Sequence, residues 1–189
     1  MSGLSLLDSA EWLGRCAWAE SQAFEILGRW SVDESTPSAR VLFAAHSAHH
    51  GWRCNLARDR LPQLADKSPA DFVDPSSPAV AEVFDDLSRQ SATGYRLVAA
   101  YEVMLPELTN AYARYAGALS PVTDATTVRL LRILATDAEA DRVEGQQLLR
   151  SIVSAPDDLA KADAFQERVA QALAAAGGIL GFDKAHRLQ

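Results

Sequence analysis

Hydrophobic and polar positions repeat with a helical period along almost the whole chain. Apolar residues recur three and four positions apart, and no segment sustains the alternation that is typical of a β-strand. Ala, Leu, Glu and Arg dominate, and all four are strong helix formers. The pattern therefore predicts an all-α protein.

The periodic segments predict four long helices, a shorter fifth helix and a tail. Thr36-Pro37 and Ser77-Pro78 mark helix starts, because proline is tolerated in the first turn, where its missing N–H would have no partner. Gly94 and Pro106 predict a bend or break within the third helix. The expected helices are A, about residues 4–30; B, 36–62; C, 77–118; D, 125–153; and E, from 156 to Gly177-Gly178.

The connections between these helices predict how they pack. The A–B and C–D connections are short, whereas "ADKSPADFVDPSSP" between B and C is long and irregular. Two antiparallel hairpins joined in this way favour a four-helix bundle over about residues 4–154. Helix E and the tail, residues 155–189, would complete one helical domain of 189 residues, with Ile179, Leu180 and Phe182 docked and His186 exposed.

Several charged or imidazole side chains fall on faces that should be buried, where they require a partner or a metal. Glu20 is in register with the apolar stripe of helix A, which consists of Leu6, Leu13, Ala17, Phe24 and Leu27. The predicted apolar face of helix B consists of Val41, Leu42, Ala45, His49, Trp52 and Leu56. His49 should therefore point inward, His46 should share its face, and His50 should point elsewhere.

Height along each hairpin brings these residues together in pairs. Glu20 and His46 lie at equal distances from the A–B turn and should face each other, and Glu102 should lie level with Asp137 and Asp141. The alternative for Glu20 is a buried ion pair with a histidine or with an arginine such as Arg53. The candidate metal ligands are Glu20, His46, His49, Glu102, Asp137 and Asp141, with Glu144 beside the last two.

Composition excludes several kinds of partner. A net charge of −7 argues against nucleic acid and anionic membranes, which both require basic surface. No apolar run approaches the ~20 residues of a membrane span, and no targeting segment is recognisable, so we expect a cytoplasmic protein. Cys16 and Cys54 lack metal-binding spacing and should be free buried thiols.

The tracts "AESQAFEILGRW" and "AAHSAHHGWR" resemble the ferritin-like superfamily of carboxylate-bridged di-iron and di-manganese proteins, over about residues 4–154. In that family a Glu from each of two helices joins a Glu-x-x-His from each of two others. Glu20 and Glu102 match the lone glutamates, and His49 matches the first motif's histidine. His46 stands where that motif has Glu, and helix D offers "TDAEADRVEG" without any histidine.

Three functions follow from this resemblance and its departures. The first is an oxidase or hydroxylase that uses iron or manganese to activate dioxygen against a small molecule. The second is a scaffold or binding protein without metal, in which the polar residues form a buried hydrogen-bond network. The third is a histidine-based zinc bundle resembling the DinB family of thiol transferases. Apolar positions on helix C or E could pair two copies into a homodimer.

Overall fold

The computed structural model describes residues 4–181, and these residues contain helices and loops but no β-strand. The predicted all-α class is confirmed. None of the helices within the described residues is both long and apolar enough to cross a membrane. The helices are α1, Leu6–Asp33; α2, Pro37–Arg58; α3, Pro78–Ser88; α4, Thr93–Val98; a π-helical segment, Ala99–Met104; α5, Leu105–Ala118; α6, Ala125–Ile152; and α7, Pro156–Ala176.

Two helical hairpins form the body of the protein. Helix α1 packs along α2, and α5 packs along α6. The hairpins meet where α2 lies against α6 and where α1 contacts α5 and the π-helical segment. Helix α7 packs on α3, α4 and the π-helical segment. The centre of the protein holds large, fully buried side chains, among them Trp30, Phe43, Tyr101, Tyr112 and Tyr115.

The tight turn between α1 and α2 is fixed by a buried carboxylate. Glu34 is 1% exposed and accepts hydrogen bonds from the backbone N–H of Thr36 at 2.9 Å and from Thr93 Oγ1 at 2.8 Å. Arg96, also buried, lies 3.2 Å from the same carboxylate and reaches Asp33 as well. These contacts join the first hairpin to the start of α4, so they hold the two hairpins in a defined register.

The predicted third helix is divided once, and the division does not lie at Pro106. The chain leaves helical geometry over residues 89–92, just before Gly94, and re-enters it at Thr93. Pro106 lacks the N–H that would bond to the carbonyl of Glu102, and the preceding residues form the π-helical segment instead of breaking. Gln166 Nε2 of α7 donates to that carbonyl at 3.3 Å, so it has a partner.

The predicted inward face of α2 is wrong. Val41 is 71% exposed and Trp52 46% exposed, whereas the buried face carries His46, His50 and Arg53. The close packing of α1 on α2 explains why a different face of α2 is buried. Such packing requires small residues at the contact more than it requires apolar ones, and a Cβ added at Gly28 would lie 3.1 Å from Ser47 Oγ. On α1, the predicted stripe holds for Leu13, Ala17 and Leu27, but Leu6 and Phe24 are exposed.

The linker and the tail both dock on α1. A short 3₁₀ turn, Pro69–Phe72, lies so close that a Cβ at Gly14 would sit 1.9 Å from the carbonyl oxygen of Phe72. Ile179 and Leu180 are buried as predicted, and Arg15 Nη1 donates to the carbonyl of Leu180 at 3.1 Å. Phe182 and His186 lie outside the described residues. The predicted free, buried state of Cys16 and Cys54 is confirmed.

Candidate metal centre

Two pairs of side chains face each other where α2 lies beside α6. His46 and His49 are three residues apart on α2, and Asp141 and Glu144 are three apart on α6, so each pair projects from one side of its helix. His49 Nδ1 lies 2.8 Å from Asp141 Oδ1, and His46 Nε2 lies 3.5 Å from the same oxygen. Glu144 Oε2 is 3.1 Å from His46 Nε2.

Three of these residues present ligand atoms at metal-binding separations. His46, His49 and Asp141 each offer one ligand atom, and these three atoms lie within 4.8 Å of one another. Zinc–nitrogen bonds of about 2.0–2.1 Å place tetrahedral ligand atoms about 3.3 Å apart, close to the 2.8 and 3.5 Å found here. Two imidazoles with one carboxylate suit iron, zinc or manganese. The donor set therefore fits a single divalent ion with open coordination positions.

Two of the three candidate ligands form a further hydrogen bond to another side chain, and this bond orients them. The other ring nitrogen of His46, Nδ1, lies 2.9 Å from the Tyr101 hydroxyl, and both side chains are buried. The other carboxylate oxygen of Asp141, Oδ2, accepts from Arg53 Nη1 at 2.8 Å. Outer partners of this kind fix ring orientation and carboxylate rotation at metal sites. Only His49, at 49% side-chain exposure, is open to solvent.

His46 and His49 open on a groove between α2 and α6. The groove has a volume of about 660 Å³ and is lined by His46, His49, Glu144 and a mainly apolar set: Pro37, Val41, Leu42, Ala45 and Leu148. The volume falls within the range of small-molecule sites, and the groove is shallow, since Val41 in its lining is 71% exposed. An apolar ligand in the groove would lie directly beside the imidazoles.

A second, fully buried cluster lies behind this centre. Glu20 on α1 is 0% exposed, and its Oε2 is 2.5 Å from His50 Nδ1. Arg53 Nε donates to Glu20 Oε1 at 3.1 Å, and the Tyr112 hydroxyl donates to the same oxygen. Arg53 Nη1 also lies 2.5 Å from Asp137. One guanidinium thus forms ion pairs with carboxylates from both α1 and α6.

The charge states follow from burial and from these partners. Burial would raise the pKa of Glu20, but the charges of His50 and Arg53, with hydrogen bonds from His50 and Tyr112, hold that pKa below its usual value. Burial would lower the pKa of Arg53, yet Glu20 and Asp141 raise it above its usual range. Burial lowers the pKa of His46 despite the neighbouring carboxylates, which favours the neutral, ligand-competent imidazole.

The structure divides the predicted ligands among three places. His46, His49 and Asp141 come together, whereas Glu20 faces His50 and Arg53 and not His46. Asp137 is 36% exposed and pairs with Arg53. The alternative prediction, that Glu20 forms an ion pair with Arg53, is the one confirmed.

Two of the histidine orientations are reversed relative to the prediction. His50 is 1% exposed, and His49 is the histidine that faces solvent. The cause is the orientation of α2, which turns Val41 and Trp52 outward and His50 inward.

Glu102 lies apart from both clusters. Its carboxylate is half-buried and accepts from Gln146 Nε2 at 3.1 Å, and it is not among the grouped ligand atoms of the described residues. Sequence reasoning also missed Tyr101 and Tyr112. Their only distinguishing signal is the need of a buried phenol for a hydrogen-bond partner, and the chain does not reveal that partner.

Comparisons with models of protein families, with characterised proteins and with solved structures gave no match for this chain. The site must therefore be interpreted from its own geometry.

Proposed function

We propose that the protein is a ferritin-like helical bundle that holds one divalent metal ion through His46, His49 and Asp141 and acts on a small apolar molecule in the α2–α6 groove. The observation that carries this proposal is the approach of three ligand atoms to within 4.8 Å of one another. With iron the activity would be that of an oxidase or hydroxylase, and manganese is the alternative metal.

The proposal differs from a dinuclear ferritin-like centre in the use of Arg53. The guanidinium bonds to Glu20 and Asp141, the carboxylates that would otherwise be free to hold a second ion. Asp141 therefore binds a guanidinium through Oδ2 and offers Oδ1 to the metal position. These contacts favour a single metal ion beside the permanently charged guanidinium of Arg53.

The residues of the chain would divide the work of such a site. When bound, iron would supply the binding and reduction of dioxygen. His46 and His49 would donate nitrogen lone pairs, and Arg53 would keep the Asp141 carboxylate ionised and rotated towards the ion. Glu144, 65% exposed at the rim, would accept or return a proton. Val41 and Leu42 would hold the apolar part of the substrate and exclude water from its reacting end.

Metal stoichiometry tests the proposal. Purified protein loaded with Fe(II), Mn(II) or Zn(II) and freed of excess ion should retain one equivalent, measured by elemental mass spectrometry. His49→Ala should retain less than about a tenth of that amount, and because His49 is half-exposed the variant should still fold. Asp158→Ala removes an exposed carboxylate of α7, outside the cluster, and serves as the control. Equal retention by His49→Ala and the wild type would refute the site.

A metal-free scaffold is the second candidate, and a specific observation favours it. Every charged group of the inner cluster already has a partner of opposite charge, and His46 and His49 already bond to carboxylates. In that case the wild type would retain no metal, and Glu20→Gln would alter stability without altering any activity. The two free thiols suit a reducing compartment under either proposal, and we place the protein in the cytoplasm.

A further inference from the structure

The two ring nitrogens of His46 have different kinds of partner. Nε2 faces carboxylate oxygens, at 3.1 Å from Glu144 and 3.5 Å from Asp141. Ionised carboxylates only accept hydrogen bonds, so Nε2 carries the proton in the metal-free protein. Nδ1 of the neutral ring is then an acceptor, and the Tyr101 hydroxyl, 2.9 Å away, donates to it.

Metal binding at Nε2 requires the opposite tautomer. The metal takes the lone pair of Nε2, so the proton must move to Nδ1. His46 is 1% exposed, and a buried Nδ1–H without an acceptor would cost free energy. A phenol both donates and accepts, so the Tyr101 oxygen can receive this new hydrogen bond once its own hydrogen rotates away from the imidazole, and neither ring has to move.

We propose that Tyr101 is a positioning residue for the metal centre, because its hydroxyl donates to His46 Nδ1 in the metal-free protein and accepts from it in the metal-bound protein. The His46 ring thereby keeps one orientation while its tautomer changes. This inference rests on the proposed function, since it assigns the hydrogen-bond partner of one of the metal ligands.

The fold is arranged to hold that hydroxyl in place. Tyr101 lies within the π-helical segment, and segments of this kind recur at functional sites. Its ring packs over Gly145 of α6, where a Cβ would lie only 2.1 Å from Tyr101 Cγ. The Phe43 ring stacks with the Tyr101 ring, with centroids 6.5 Å apart. The absence of a side chain at position 145 thus lets the phenol reach His46 past the helix that carries Asp141.

The test compares two tyrosine variants. Tyr101→Phe removes the hydroxyl at His46, and Tyr115→Phe removes a buried hydroxyl that donates to the backbone of Ser9 at 2.6 Å, away from the site. Zinc affinity, measured by competition with a chromogenic chelator, should fall about 10- to 100-fold in Tyr101→Phe and stay within about twofold of wild type in Tyr115→Phe. Wild-type affinity in Tyr101→Phe would overturn the proposal.

Nitrogen-15 NMR of histidine-labelled protein separates this inference from the proposed function. His46 should show Nε2–H in the metal-free protein and Nδ1–H after zinc is added. Nδ1–H in the metal-free protein would overturn the positioning role whether or not zinc binds. A wild type that binds no zinc, or a His49→Ala variant that binds it equally, would instead overturn the metal site on which this inference rests.

Discussion

The guanidinium of Arg53 should be the largest single electrostatic contribution to folding. Arg53 is fully buried and lies 3.1 Å from Glu20, 2.5 Å from Asp137 and 2.8 Å from Asp141. Arg53→Met keeps an unbranched apolar chain and removes the charge. Glu20, 0% exposed, would then be a buried carboxylate without its permanently charged partner.

The expected loss is about 3–5 kcal/mol in the free energy of unfolding, which is typical when one partner of a buried ion pair is removed. The total free energy of unfolding of a domain is only about 5–15 kcal/mol. With a urea dependence of about 2 kcal/mol per M, the unfolding midpoint should fall by about 2 M. Circular dichroism at 222 nm at pH 7.5 would follow the transition. Arg142→Met, which removes a half-exposed pair with Glu139 on a single helix, should change the free energy of unfolding by less than about 1 kcal/mol.

The pH dependence identifies the charge responsible. In the wild type the pKa of Glu20 is depressed, so its contribution to stability is present above the unfolded pKa of about 4.3 and is lost as pH falls through the folded value. Without Arg53, burial would raise the pKa of Glu20. The difference in the free energy of unfolding between Arg53→Met and the wild type should therefore be smaller at pH 5 than at pH 7.5. A double variant, Glu20→Gln with Arg53→Met, should recover at least about 2 kcal/mol of the loss.

A loss below about 1 kcal/mol in Arg53→Met, unchanged between pH 5 and pH 7.5, would refute this reasoning. It would mean that Glu20 is not an ionised, buried partner of Arg53.

Two further predictions concern the neighbourhood of His46. Gly145→Ala should destabilise the protein by about 1–3 kcal/mol in thermal or urea unfolding, because its Cβ would meet the Tyr101 ring, whereas Gly117→Ala, with open space around its Cβ, should be neutral or stabilising; equal effects would contradict the packing. Acidification from pH 7.5 to 5.5 should destabilise the wild type in part through His46, because burial depresses the pKa of His46 in the folded protein and the unfolded chain takes up the proton first. His46→Gln should therefore show a shallower pH dependence of the free energy of unfolding. An unchanged slope would contradict this role of His46.

The sequence predicts the helices well because helical periodicity is a local property. The starts at Pro37 and Pro78 and the end at Gly177 agree with the structure, since proline in the first turn and glycine after the last turn act through their own backbone. The outcome at Pro106 is not local. It depends on Gln166, sixty residues later, which supplies the donor that proline lacks.

The orientation of α2 could not be predicted, because the stronger hydrophobic stripe is not the buried one. Val41 and Trp52 suggested an inward face, but the side that packs on α1 carries Ser47, His50 and Arg53. A polar face is buried only when its partners are already in place, and these partners come from other helices. The periodicity therefore identified the helix that carries the three histidines, with the wrong histidine inside.

Asp141 connects the two clusters and gives a reason for the burial of so polar a face. Its Oδ2 accepts from Arg53, and its Oδ1 lies 2.8 Å from His49. Because a carboxylate is rigid and planar, fixing one oxygen on a buried guanidinium fixes the direction of the other. Arg53 in turn is held by Glu20 from α1. The orientation of the Asp141 carboxylate is thus set by the ion pair of Arg53 with Glu20. A change at Glu20 should therefore alter the contact between Asp141 and His49, although Glu20 and His49 do not share a partner atom.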